Sequence, residues 1–214
     1  MKKLITLFLC ILTIISSAKA QSDYKPASEQ QQKEMIQNIN ESSVNLHTLR
    51  CDFVQKKTIS ILADEMVSEG RLFFKQNDKL KWEYIKPYQY EFIINGDKVM
   101  LNSGTTKNVI NINSNKLFKE ISNIIVAGIN GSGIFDTSKF LFQFKTGTKD
   151  NMVILKPKQK ELALMFNEIR LRFNKTDYTV NSVEIEEPNG DITLIEMKNK
   201  QINKELSDEV FAIQ

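Results

Sequence analysis

The alternation of apolar and polar residues over most of the chain is typical of β-strands. Leu49, Cys51 and Phe53 occupy alternate positions with charged residues between them, and a period of two places successive side chains on opposite faces of a sheet. The stretch 56–65 fits either a long hairpin loop or a ragged strand pair. The period predicts strands at 48–54, 67–75, 79–85, 88–95, 98–102, 140–145, 152–156, 168–174, 181–187 and 191–198.

Turn residues lie between these predicted strands. Gln76-Asn77-Asp78, Asn95-Gly96-Asp97 and Pro188-Asn189-Gly190-Asp191 are hairpin signals. Lys86-Pro87 ends or kinks a run, because proline lacks the amide hydrogen that a strand ladder requires. Strands joined by tight turns pair as antiparallel neighbours, so the order predicts a meander.

Two segments have helical spacing instead. Ser28 with Gln31 three residues later resembles a capping box, and the residues that follow predict a helix at about 28–45 with a narrow apolar stripe. A second helix begins after a cap at Asn113 or Ser114 and is expected to stop before Gly128. Its wide apolar face comprises Leu117, Phe118, Ile121, Ile124, Ile125 and Val126. A face of that width must lie against a substantial apolar surface.

This element content defines an expected architecture. The fold class is mainly β (α+β), with a single strongly curved antiparallel sheet or barrel of about 10–11 strands. The helices are expected to cover the hollow of that sheet.

The first twenty residues have the pattern of a secretory signal peptide. Two lysines precede an apolar run over 4–15, and Ala18-Lys19-Ala20 is a small-x-small cleavage pattern. We therefore expect a signal peptide at 1–20 and a single exported domain at 21–214. Cys10 is interpreted as part of the apolar run, because no small residue precedes it as lipid attachment requires.

Charge and cysteine content narrow the functional classes. Of the 29 basic residues three lie in the first twenty positions, which leaves 26 to balance the 26 acidic residues. A neutral chain without a basic patch argues against nucleic-acid binding. Only Cys51 remains after processing, so no intramolecular disulfide can form and stability must come from the core.

No set of residues predicts catalysis or metal binding. His47 is the only histidine, which excludes a histidine-based metal cluster. His47 and Cys51 suggest a base and a nucleophile, but Cys51 alternates with Leu49 and Phe53 and is interpreted as a small buried apolar residue. The sequence also lacks the nucleophile-elbow, phosphate-loop and dinucleotide motifs. We expect no enzyme activity, no catalytic residue, no metal and no cofactor.

Large apolar residues in the first five predicted strands share one face if the strands pair regularly. They are Phe53, Leu72, Phe74, Leu80, Trp82, Tyr84, Tyr90, Phe92, Ile94 and Leu101. Such a set predicts a continuous apolar floor on one face of the sheet. Periodicity alone does not separate a hollow, lipid-binding sheet from an ordinary filled core, so both interpretations stay open on this evidence.

Several segments, taken in order, carry a family resemblance. Those of the first half are Asp52-Phe53-Val54-Gln55, Gly70-Arg71-Leu72-Phe73-Phe74-Lys75, Leu80-Lys81-Trp82-Glu83-Tyr84-Ile85-Lys86-Pro87 and Ile94-Asn95-Gly96-Asp97-Lys98. Those of the second half are Pro188-Asn189-Gly190-Asp191-Ile192-Thr193, then Asn203, Leu206 and Phe211. By their order and spacing, over essentially the whole mature chain, they resemble the periplasmic outer-membrane lipoprotein carrier family, LolA.

The resemblance implies an unclosed β-barrel with a helical lid and a hydrophobic cavity that accepts the acyl chains of lipoproteins. It implies a monomeric periplasmic carrier that moves lipoproteins from an inner-membrane releasing complex to an outer-membrane acceptor. The alternative is a lipid- or lipoprotein-sensing regulatory module, or a carrier of another lipid, with the same half-barrel. Gln76 and Asn77 stand where the family usually has an Arg-Pro pair whose arginine helps hold the lid, so lid control is expected to differ.

Overall fold

The structure, a computed structural model, describes residues 23–62, 64–114 and 116–213, without the side chains of residues 116, 117, 118, 120 and 121. The predicted signal peptide and Cys10 lie outside the described residues. The strands are β1 (Lys25–Pro26), β2 (Thr48–Ile59), β3 (Asp64–Lys75), β4 (Lys79–Lys86), β5 (Tyr90–Asn95), β6 (Lys98–Asn102), β7 (Lys107–Asn111), β8 (Phe140–Thr146), β9 (Asp150–Pro157), β10 (Glu168–Asn174), β11 (Val180–Glu186) and β12 (Ile192–Ile202). The helices are α1 (Glu29–Asn45), α2 (Lys116–Asn130) and α3 (Lys160–Ala163), with 3-10 turns at Ile112–Ser114 and Asp208–Phe211.

All of these strands belong to one antiparallel sheet. Its spatial order is β1-β8-β9-β10-β11-β12-β2-β3-β4-β5-β6-β7, so sequence neighbours pair except where β1 meets β8 and β12 meets β2. In the part of the chain that the structure describes, the edge strands β1 and β7 do not pair with each other. The sheet is therefore not closed, which confirms the predicted fold class.

The strand prediction was wrong in a few places. Twelve strands occur in the described ranges instead of ten or eleven, because β7 is a short, mostly exposed edge strand and β1 has two residues, neither with an apolar alternation. Residues 56–65 form a ragged strand pair and not a long hairpin loop, since Thr58 pairs with Glu65. Tyr88 lies outside β5 and is 75% exposed.

Helix α1 begins and ends at identifiable contacts. The amide of Gln31 donates to Ser28 Oγ at 3.3 Å, and the amide of Ser28 donates to Gln31 Oε1 at 2.9 Å, which confirms the capping box. At the other end, Asn203 Nδ2 donates to the Asn45 carbonyl at 2.8 Å. The helix buries Met35 and Ile39 in the main core, and its end is tied to the sheet beyond β12.

Helix α2 continues further than the sequence predicted. It includes Gly128, which was expected to lie beyond its end, and it stops at Asn130. Gly131 follows with φ of 79°, and its amide donates to the Ala127 carbonyl at 2.8 Å. A residue with positive φ directly after the last turn is the usual way a helix ends, and glycine has no Cβ to oppose that conformation.

Apolar residues are buried on both faces of the sheet. The main cluster lies on the inner face, under α1 and α2, and includes Leu49, Cys51 and Leu72. A smaller cluster on the outer face combines Phe73 with the C-terminal Phe211. Because the inner cluster contains the alternate residues of many strands, the inner face determines what space remains beneath α2.

Candidate functional site

The candidate site is a cavity of about 580 Å³ between the inner face of the sheet and α2. Side chains from β2, β4, β5 and β8 to β12 all line this one space, so the sheet curves around it. Most lining residues are aliphatic or aromatic. Its size lies within the range of about 300–1,000 Å³ that is usual for sites that bind small molecules.

Aromatic rings form the part of the wall that β4 and β5 contribute. Trp82 pairs across the strands with Phe92, and Tyr84 pairs with Tyr90. The rings of Trp82 and Tyr84 lie 6.4 Å apart and those of Tyr84 and Tyr90 lie 6.3 Å apart. Phe53 supports this wall from below, with its ring 4.7 Å from that of Trp82.

Gly70 makes room for the Phe53 ring. The two residues are partners across β2 and β3, and a Cβ added at Gly70 would lie 2.4 Å from Phe53 Cζ and 2.1 Å from the Glu83 carbonyl oxygen. The register with β4 also shifts between Glu69 and Gly70. The glycine therefore leaves room for the Phe53 ring beside the aromatic wall, and a larger residue at position 70 would remove that room.

The structure distributes the predicted floor residues between the cavity wall and the core. The floor residues that line the cavity are Trp82, Tyr84, Tyr90 and Phe92, and the residues of the second helix that line it are Ile124 and Ile125. Those buried in the core behind the wall are Phe53, Leu72, Phe74, Leu80 and Ile94, each no more than 1% exposed, while Leu101 packs partly buried against them. Ile94 also lines a second, smaller cavity of about 250 Å³. The side chains of Leu117, Phe118 and Ile121 are not among those that the structure describes.

The opposite wall of the cavity was not predicted from the sequence. It is formed by strands of the second half of the chain and by the end of the lid: Leu155, Ile169, Leu171, Val183, Ile185, Ile195, Ile129, Ile134 and Phe140. The same period of two marks these strands in the sequence. The sequence predicts a strongly curved sheet, but it does not show that the curvature brings β9 to β12 to the same cavity as β4 and β5.

Polar residues such as Asp78, Asn123 and Lys139 also line the cavity, and three polar groups lie at its aromatic wall. The Tyr84 hydroxyl donates to Gln55 Oε1 at 2.8 Å. Burial raises the pKa of that hydroxyl, and the neighbouring Trp82 indole and Gln55 amide oppose the rise. Trp82 Nε1 is buried and makes no well-aligned hydrogen bond with a described residue.

The contacts of Cys51 and His47 do not favour nucleophilic chemistry. Cys51 is 2% exposed, and burial raises the pKa of its thiol to about 12, so it stays protonated near neutral pH. His47 is exposed, and its Nδ1 lies 2.9 Å from Gln76 Oε1. Among the described residues no three acidic, histidine or cysteine side chains are grouped so that they hold a metal ion. The site is suited to binding apolar groups.

Gln76 and Asn77, the two positions that depart from the family pattern, lie in the turn after β3. Gln76 Nε2 donates to the Val44 carbonyl at 2.9 Å, and the Gln76 amide donates to the His47 carbonyl at 2.9 Å. These bonds connect the turn to the end of α1. Asn77 and Asp78 both have positive φ, and Asp78 lies at the cavity wall.

No helix within the described ranges is long and apolar enough to cross a membrane.

An unclosed antiparallel half-barrel with a helix over an apolar cavity is the class of fold that these observations define. A family model, that of the outer membrane lipoprotein carrier protein LolA, matches residues 44–214. The chain belongs to this family.

Individual proteins show the same similarity. An outer-membrane lipoprotein carrier protein of Francisella tularensis subsp. novicida is 26% identical over 215 residues, which cover 99% of this chain and 92% of that protein. An outer-membrane lipoprotein carrier protein of Ralstonia nicotianae is 25% identical over 183 residues, which cover 82% of this chain and 81% of that protein. A crystal structure of an uncharacterised conserved protein from Thermus thermophilus has a TM-score of 0.54 at 8% identity, over 85% of this chain and 93% of that one. This last similarity shows a shared fold.

Proposed function

We propose that this protein is a periplasmic carrier that encloses the acyl chains of lipoproteins beneath α2 and shuttles lipoproteins from the inner to the outer membrane. The apolar cavity is the observation that carries the proposal, and membership of the lipoprotein carrier family supports the class of cargo. The same proposal includes export through the predicted signal peptide and a single monomeric domain at 21–214. It also includes two partners, an inner-membrane releasing complex and an outer-membrane acceptor. Binding and release need no covalent step.

The energetics of burial favour a carrier with a movable cover. Each methylene group that leaves water contributes about 0.8 kcal/mol, so even part of an acyl chain binds favourably. Separating α2 from the rest of the wall exposes Ile124, Ile125 and Val126, which line the cavity. Exposing these side chains to water is unfavourable, and this free-energy cost lowers the net affinity for cargo. A moderate net affinity allows the cargo to pass to an acceptor with a better site.

A charged cavity wall tests the proposal. Phe92→Glu places a carboxylate among apolar lining residues, where an unpaired charge is strongly disfavoured. We expect the purified protein to bind a diacylated lipopeptide at least about tenfold more weakly. Calorimetric titration measures the affinity, and circular dichroism verifies that the variant is folded.

The matched control is Leu141→Glu. Leu141 is 57% exposed on β8, it alternates with Phe140 and Phe142, and its cross-strand partner is Lys156, so a carboxylate there is solvated and near a cation. We expect unchanged lipopeptide affinity. Equal affinities of a folded Phe92→Glu variant and the control would reject the cavity as the acyl site.

A sensing module differs from a carrier in the release step. Loaded protein mixed with acceptor vesicles that contain an outer-membrane acceptor should lose its lipopeptide to them if it is a carrier. Retention of the lipopeptide under these conditions, with binding intact, would favour the regulatory alternative.

A further inference from the structure

The β2–β3 hairpin projects beyond the end of the neighbouring strand β4. Strand β3 begins at Asp64, but its pairing with β4 begins only where Glu69 pairs with Lys86. Residues 64–68 of β3 therefore lie past the last residue of β4, over roughly 16 Å of extended chain. The outer end of the hairpin is thus not covered by β4.

This projecting end exposes apolar side chains on both of its faces. Ile61 and Leu62, in the turn, are 89% and 67% exposed, and Met66 and Val67, on β3, are 51% and 45% exposed. Met66 and Val67 are consecutive residues of one strand, so their side chains lie on opposite faces. Exposed apolar residues in such number mark an interaction site. A rigid partner surface would cover one face of the hairpin, whereas a lipid medium surrounds both.

The charges beside the hairpin favour apolar over electrostatic attachment. Lys57 Nζ lies 2.7 Å from Glu187 Oε1, and Lys86 Nζ lies 3.2 Å from Glu69 Oε2. With these carboxylate partners the two lysines offer no net positive charge to anionic headgroups. The exposed Tyr88, in the next turn, has an apolar ring and a polar hydroxyl, a combination that is enriched where membrane meets water.

The same edge of the sheet borders the cavity. Tyr90 is the first residue of β5, directly after the turn that contains Tyr88, and it lines the cavity. Ile185, near the end of β11, lines it as well. The turn after β11 contacts the hairpin, because Ser60 Oγ donates to the Asn189 carbonyl at 2.9 Å. A membrane at the hairpin would therefore lie next to this end of the cavity.

We propose that the outer end of the β2–β3 hairpin, with Ile61, Leu62, Met66 and Val67, inserts into the headgroup region of a lipid bilayer and brings this end of the cavity to the membrane surface. Burial of apolar side chains drives the insertion, and it is reversible because only a few side chains enter. The inference goes beyond the proposed function, in which cargo passes between protein partners, and it does not depend on the identity of the cargo.

Vesicle flotation tests the insertion on the purified mature protein without cargo. We expect part of the protein to float with neutral phosphatidylcholine vesicles that contain no protein. Neither added salt nor added phosphatidylglycerol should change the partition coefficient more than about twofold, because paired charges contribute little.

A double variant and a matched control locate the contact. Ile61→Ser combined with Leu62→Ser should lower the partition coefficient at least about tenfold, since two large apolar side chains no longer enter the bilayer. The control is Val44→Ser. Val44 is 69% exposed at the end of α1, near the start of β2 and so at the opposite end of that strand from the hairpin. It should float like the unmodified protein, and circular dichroism verifies that both variants are folded.

A second measurement reports the surroundings of the hairpin directly. An environment-sensitive fluorophore attached to Leu62→Cys should shift its emission to shorter wavelength when vesicles are added, and the same fluorophore on Val44→Cys should not. Cys51 is buried, so the introduced thiol is the one that reacts.

Failure of the unmodified protein to float with protein-free vesicles, or equal flotation of the folded double variant, would overturn the insertion. Flotation only with vesicles that contain an outer-membrane acceptor would also overturn it and would assign the hairpin to a protein interface. Binding restricted to anionic vesicles at low salt would show electrostatic attachment instead. Lipopeptide binding by the cavity is measured separately with Phe92→Glu, so the carrier proposal survives each of these failures.

Discussion

Gly70 shows how one residue determines the shape of the binding wall. It has no side chain at a point where the Phe53 ring and the backbone of β4 converge, and the ring supports Trp82 and Tyr84. Glycine in a strand interior is unfavourable for the backbone. Its presence here is explained by the close approach of these neighbours.

The prediction at this scale concerns Gly70→Ala. The added methyl group meets the Glu83 carbonyl oxygen at 2.1 Å and Phe53 Cζ at 2.4 Å, so the backbone or the aromatic wall must move. We expect a loss of about 2–3 kcal/mol in the free energy of unfolding, measured by urea denaturation. A second substitution, Phe53→Leu, should restore only part of it, because the contact with the carbonyl remains. An unchanged denaturation midpoint would contradict this account.

Helix α2 is the element whose stability bears on the lid. It contains Gly128, where an added Cβ meets nothing within 4 Å, and it is followed by Gly131, where an added Cβ lies 3.0 Å from Ile39 Cγ2. One glycine therefore weakens the helix without a packing reason, and the other is required by its positive φ. Substitution by alanine should have opposite effects at the two sites.

The prediction for the lid is that Gly128→Ala stabilises α2 by about 0.8–1 kcal/mol, the usual difference between the two residues within a helix. Hydrogen exchange of the α2 amides should slow about four- to fivefold where local opening controls it, and release of bound lipopeptide should slow as well. Gly131→Ala is the contrasting variant and should lower the thermal midpoint. Faster hydrogen exchange of the α2 amides in Gly128→Ala than in the unmodified protein would show that the stability of the helix interior does not limit local opening.

The sequence predicts elements better than their arrangement. The capping box at Ser28 and the hairpin signal at Asn95-Gly96-Asp97 are local, and the structure confirms both. Strand β7 was missed because an exposed edge strand needs no apolar alternation. Half of the cavity wall was missed because the curvature that places Ile169 and Ile185 opposite Trp82 depends on all the intervening strands. The number of strands predicts a strongly curved sheet, but it does not predict which strands the curvature brings together.

At the scale of the whole molecule, Cys51 connects ionisation to the integrity of the core. The thiol is buried, and its pKa rises to about 12 from an ordinary value of 9.0. The unfolded chain therefore ionises this group first as the pH rises. Its contribution to stability is fully present below about pH 9 and is lost between about pH 9 and pH 12.

We predict that the free energy of unfolding of the unmodified protein falls with pH more steeply than that of Cys51→Ala. The difference should approach about 1.4 kcal/mol per pH unit between about pH 9 and pH 11. Urea denaturation at several pH values measures it, and the comparison cancels the contributions of ionisable groups that do not interact with the Cys51 thiol; Lys200 does interact with it. Parallel pH profiles would show that the thiol is not insulated from solvent.

The unpaired edges of the sheet have a mechanical consequence. A sealed barrel has a radius fixed by its number of strands and their stagger. Among the described strands, β1 and β7 end the sheet separately. The circumference of the half-barrel can therefore increase by small changes of twist spread over many strands, with every ladder hydrogen bond preserved. We expect one and the same chain to accommodate guests of unequal bulk, from a single slender tail to a bundle of several.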